Sequence, residues 1–108
     1  MSGMRGGMAG FIKQVNQMQT KINKIKEELD VTEYEASAGG GAVRVSVLGS
    51  GQVANLSVSK ELMDDGDNEM LQDLIKTATN EALKKAQTER DKAMEKVTGG
   101  LNLPGLGF

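Results

Sequence analysis

The chain has no cysteine, no histidine and no tryptophan, and a single proline. Without cysteine there is no disulfide framework and no thiol chemistry. Without histidine as well, the commonest zinc ligands and the commonest general base are gone. Aromatics are nearly absent: Phe11, Tyr34 and Phe108 are the whole set. The core must therefore be built from Val, Ile, Leu, Met and Ala. No apolar run reaches the length of a signal peptide or a membrane span, so the expectation is a soluble cytoplasmic protein.

What is present is one long apolar seam. Met8, Phe11, Val15, Met18, Ile22, Ile25 and Leu29 follow each other in steps of three and four. With Met8 at heptad position a, 8, 15, 22 and 29 are all a and 11, 18 and 25 are all d. A 3.5-residue period marks a helix that packs along its length on another helix. Over 8–30 such a helix is roughly 34 Å long. That is too long for 108 residues to cover within one compact body. The seam therefore points to projecting helices and a second copy of the chain.

The rest of the chain alternates. Residues 1–7 are glycine-rich and read as a flexible N-terminus ahead of a single domain at 8–98. Val31–Ser37 reads as a strand with one wet face. Ala38-Gly39-Gly40-Gly41 is a turn. Ala42–Leu48 is the clearest strand, with Val43, Val45 and Val47 on one side. Gly49-Ser50-Gly51 turns into a third strand, Gln52–Ser59, with Ala54, Leu56 and Val58 on one face and Asn55, Ser57 and Ser59 on the other. Short connections make an antiparallel meander. Lys60–Asp67 is a connector with Leu62 and Met63 tucked inward. A second long helix runs from Asn68 to Thr98, capped by Asp67 or Asn68 and stopped by Gly99-Gly100. Its early turns carry large apolar residues and its later ones mostly alanine, which predicts a thin contact at its far end. Residues 99–108 form a Gly/Leu/Pro-rich tail. The fold class is α+β: α-β-β-β-α, a three-stranded antiparallel meander flanked by two long helices.

Net charge is −2, but its distribution carries more information. Arg5, Lys13, Lys21, Lys24 and Lys26 precede the first acid at Glu27. The two stretches 27–35 and 61–73 are acidic, and bases again outnumber acids from Lys76 onward. If the two helices pack antiparallel along their length, the bases of both meet at a tip far from the sheet. Three apparent motifs fail. Asp64-Asp65-Gly66-Asp67 places glycine wrongly for a calcium loop and reads as a turn with a helix cap. Gly39-Gly40-Gly41 joins two strands and lacks the Gly-Lys-Ser/Thr ending of a phosphate loop. Glu33 and Glu35 lie on a wet strand face with no partner. No Ser, Lys or Asp has an activating base beside it, so no enzyme, cofactor or metal site is expected.

Several separated segments resemble the YbaB/EbfC family of small bacterial nucleoid-associated proteins. They are the terminal Thr98-Gly99-Gly100-Leu101-Asn102-Leu103-Pro104-Gly105-Leu106, the first helix with Gln14, Gln17, Met18 and Gln19, the stretch Ala38–Val45, and Met70-Leu71-Gln72-Asp73-Leu74-Ile75 followed by Asn80-Glu81-Ala82. The resemblance covers nearly the whole chain. It implies a tweezer-like homodimer that binds double-stranded DNA, organises the bacterial chromosome and affects transcription, in the cytoplasm at the nucleoid.

On that reading Arg5, Lys13, Lys21, Lys24, Arg90, Lys92 and Lys96 meet phosphates, with Lys84 and Lys85 behind them. The seam of Phe11, Val15, Met18, Ile22, Ile25 and Leu29 holds helices together. The absence of aromatics among the bases argues against stacking on single strands. The alternative is a protein-interaction or chaperone-like adaptor that uses its helix clamp and apolar tail, with a partner in replication or recombination.

Overall fold

The computed structural model describes residues 2–98, and side chains within 8–97. Met1 and the expected tail at 99–108 lie outside the described residues. The elements are α1 (Ser2–Asp30), β1 (Glu33–Ala38), β2 (Val43–Leu48), β3 (Val53–Val58), α2 (Lys60–Asp64) and α3 (Asn68–Thr98). The expected α-β-β-β-α order stands, with one short helix added. Helix α1 starts at Ser2 rather than Met8. Propagating an existing helix through a glycine costs only about 1 kcal/mol, so the turns beyond Met8 carry it through the glycines. Where a plain connector was expected, the Ser59 hydroxyl accepts the Leu62 N–H at 3.2 Å and caps α2.

The sheet is an antiparallel meander in the order β1-β2-β3. Its first turn, Gly39-Gly40-Gly41, has φ of 65°, 68° and 95°, a run in the left-handed region that glycine tolerates. The β2–β3 ladder shifts register between Ser46 and Val47, so Val47 pairs with Val53 rather than Ala54. Val43, Val45 and Val47 are buried on one face of β2, and Ala36 of β1 joins them. Helix α3 lies across that face, over β1 and β2.

The contact is made by Ala78, Ala82 and Ala86, spaced by four and all buried. Alanine is what lets a helix sit close on a valine sheet. This corrects the sequence expectation, in which the alanine turns of α3 are its weak end. They are its most buried part, and Leu71, Leu74 and Ile75 are only half-buried. One further expectation changes. Leu62 is half-buried, but Met63 is exposed. Leu56 of β3 is 52% exposed because α3 stops short of that strand.

Candidate nucleic-acid interface

Helix α1 leaves the body through a compact joint. The Thr32 hydroxyl and N–H donate to the carbonyls of Glu28 (2.7 Å) and Leu29 (3.1 Å), satisfying the helix's last acceptors. The Gly49 N–H donates to the Thr32 carbonyl at 3.0 Å. Gly49 is buried, and a Cβ built there would collide with the Leu29 carbonyl. Arg90 of α3 closes the joint. Its guanidinium donates to an Asp30 carboxylate oxygen at 3.2 Å and to the Gly49 carbonyl.

The joint sets the register of the helices. With Arg90 level with Asp30, the eight residues to Thr98 carry α3 about 12 Å along α1, to the level of Ile22. Side-chain cover agrees. Along the seam, Met18, Ile22, Ile25 and Leu29 are half-buried, whereas Met8 (65%), Phe11 (64%) and Val15 (48%) are exposed. Two full-length helices packed antiparallel, as the sequence leads one to expect, do not form. Most of α3 is used on the sheet, and α1 runs on alone as an arm. The molecule measures 78 × 23 × 16 Å.

This arrangement separates the bases. Lys13, Lys21 and Lys24 are exposed on the arm. At 100° per residue Lys13 and Lys24 fall on the side opposite the seam, with Gln17 and Thr20 between them and Lys21 on its flank. None of these lysines forms an ion pair among the described residues, and no acid precedes Glu27. Arg5 lies in the first turns of α1, and its side chain is outside the described set.

The bases of α3 sit elsewhere, and three of them are engaged. Lys85 donates to the Glu35 carbonyl at 2.7 Å, on the open edge of β1. Arg90 belongs to the joint. Lys92 lies 3.7 Å from Glu89. Lys84 and Lys96 are exposed. The single basic tip expected from the sequence is therefore two regions: the arm, and the last turns of α3 beside its root. The joint itself is a feature that the sequence does not announce. Its only trace there is the Gly49-Ser50-Gly51 turn, which carries no record of what approaches it.

The sheet face away from α3 is polar. A shallow depression there is lined by Glu33, Glu35, Arg44, Ser46, Asn55 and Ser57. The Ser46 hydroxyl donates to Glu33 at 3.1 Å, and Arg44 stands 4.0 Å from Glu35 with both exposed. The segment Asp64-Asp65-Gly66-Asp67 is the expected turn and cap, with Asp67 accepting the Met70 N–H at 3.0 Å. Among the described residues no group of carboxylates is arranged to hold a metal ion, and no helix is long and apolar enough to cross a membrane.

Known proteins of similar sequence point one way. A nucleoid-associated protein of Clostridium acetobutylicum is 46% identical over 105 residues, covering 96% of this chain and 94% of its own length. Another from Alkaliphilus metalliredigens is 47% identical over 106 residues, covering 96% and 93%. The crystal structure of an uncharacterized Helicobacter pylori protein superposes with a TM-score of 0.72 at 24% identity, covering 82% of this chain and 94% of that one. That likeness bears on the fold alone. The profile of the YbaB/EbfC DNA-binding family matches residues 4–101, and with relatives this similar over nearly their whole length, the chain belongs to that family.

Proposed function

We propose that the chain is a nucleoid-associated protein that binds double-stranded DNA as a homodimer, gripping phosphates with the arm of α1. The observation that carries this reading is the arm's outer face. Lys13, Lys21 and Lys24 are exposed and form no ion pair among the described residues; Lys13 and Lys21 have no acid within a helical turn, and Lys24 has Glu27 and Glu28 one turn on. An ammonium group in that setting is available to a phosphate without first breaking a protein ion pair. Lys84, Lys92 and Lys96 are secondary contacts near the arm's root. Lys85 and Arg90 already hold protein carbonyls and contribute through the scaffold. Phosphate contacts give affinity without base readout, which suits chromosome organisation and broad effects on transcription.

The test is Lys13→Gln, Lys21→Gln and Lys24→Gln together, measured by fluorescence anisotropy on two unrelated duplexes from low to physiological salt. Both duplexes should bind alike, and the salt slope should flatten by about 0.9 for each phosphate no longer neutralised. Unchanged affinity and slope would remove the arm from the interface.

The bare apolar stripe favours a second reading. Met8, Phe11, Ile12 and Val15 are exposed on the same arm, and contiguous apolar surface of this kind marks protein contact sites. An adaptor working through this stripe would capture a partner in a pull-down that survives nuclease and is abolished by Phe11→Ser and Ile12→Ser.

A further inference from the structure

Beyond Met18 the seam of α1 has no cover among the described residues. Val15 is 48% exposed, Phe11 64% and Met8 65%. Phosphate binding by the opposite face gives this stripe no task. An apolar row at helical spacing is ordinarily packed against something.

The path of α3 points at it. The two helices run antiparallel from the joint, and Ala93, Met94 and Val97 are half-buried in the last turns of α3. Thr98 stands level with Ile22, heading toward the N-terminus of α1. Residues 99–108 follow it. They carry no charge, and they include Leu101, Leu103, Leu106 and Phe108.

The lengths match. Val15 lies about 10 Å beyond Ile22 along α1, and Phe11 about 16 Å. An extended chain advances about 3.3 Å per residue, so Leu101 comes about 10 Å past Thr98 and Leu103 about 16 Å. Every second side chain of an extended segment falls on one side, which puts Leu101 and Leu103 together and Asn102 opposite. Pro104 biases the residue before it, Leu103, toward extended backbone.

We propose that the tail of this chain lies along the bare seam of its own α1, with Leu101 on Val15, Leu103 on Phe11, and Leu106 and Phe108 toward Met8. Gly99-Gly100 is a two-residue link to a helix end that the joint already holds beside α1, so closure costs little entropy. A second chain would have to bring its apolar row from solution. Covered in this way, the stripe is withdrawn from a protein partner. Lys13 and Lys24, on the other side of the arm, stay open to phosphate, so the proposal stands independently of the DNA reading.

The chain lacks cysteine, so introduced pairs are unambiguous. Val15→Cys with Leu101→Cys should oxidise to a disulfide within one chain, read as loss of both thiols at monomer mass on a non-reducing denaturing gel. Gln17→Cys with Leu101→Cys places the first thiol on the opposite side of the arm and should form little disulfide. In the full chain, Leu101→Ser with Leu103→Ser should speed amide exchange across 8–18 by about tenfold and leave the sheet unchanged. A disulfide between chains would give the seam to a second copy. Equal yields from the two cysteine pairs, or exchange unaltered by the serines, would leave the tail off the seam. Each of these outcomes overturns the proposal.

Discussion

Gly49 acts as a socket. It is buried against the Leu29 carbonyl at the point where α1 leaves the body, so even a methyl group has no room. Gly49→Ala should destabilise the chain by about 2 kcal/mol, or roughly 10 °C in Tm for a domain of this size. Ser50→Ala, one residue along and exposed, should leave thermal melting unchanged. Arg90→Ala tests the other side of the joint. It removes one charged hydrogen bond and one to a carbonyl, both part-exposed, and should cost about 1 kcal/mol in urea unfolding, with Arg90→Lys recovering part of it. Neither role is legible in the sequence. Gly49-Ser50-Gly51 announces a turn because glycine favours turns, and Arg90 sits among other bases on a helix. What gives each its role is a contact with a segment far away along the chain, and local pattern holds no record of it.

At the level of elements the sequence is more informative. Alternation places all three strands, because the valines of β2 repeat at the pleat period of two. Heptad spacing finds α1, whose apolar seam is half-buried from Met18 to Leu29 and exposed at Met8, Phe11 and Val15. It is the depth of burial on α3 that comes out wrong, because large residues are weighted above alanine. A hydrophobicity scale counts methylenes, whereas a helix resting on a sheet is limited by how closely its backbone can approach. Ala82→Leu is the test. Added bulk between α3 and the valines should cost about 1–3 kcal/mol through overpacking, although it raises hydrophobicity and helix propensity is nearly unchanged. Leu83→Ala, on the adjacent and more exposed face, should cost less than about 1 kcal/mol. Equal effects from the two changes would mean that the alanine ladder does not set the helix–sheet distance. The uncovered face of β3 escapes the sequence for a related reason: alternation gives the side of a strand, and only the path of α3 decides which strands that side covers.

Over the whole molecule, the acidic balance of the chain looks at odds with a phosphate partner, and for the acids around α2 geometry resolves the conflict. The acidic turn after α2 lies at the end of α3 away from the joint. From Asn68 to Arg90 is about 33 Å of helix, and from Asp30 back to Lys24 about 9 Å more. The separation of roughly 40 Å is about four Debye lengths at 0.1 M salt. The acids at that end therefore do not weaken a phosphate held on the arm, whatever they contribute to net charge. Glu61→Gln, Asp64→Asn and Asp65→Asn together remove three negative charges, and Asp67 is left in place because it caps α3. If affinity follows net charge, this triple variant should bind duplex DNA more tightly and with a steeper salt slope. If affinity follows the local field of the arm, binding at 0.1 M salt and the slope should both match the unmodified chain, with a faster association rate appearing only near 0.01 M, where screening reaches about 30 Å. The second outcome is expected, because Lys13, Lys21 and Lys24 extend from the body on a helix whose first acid is Glu27. A tighter complex at 0.1 M would place the DNA against the sheet end rather than along the arm.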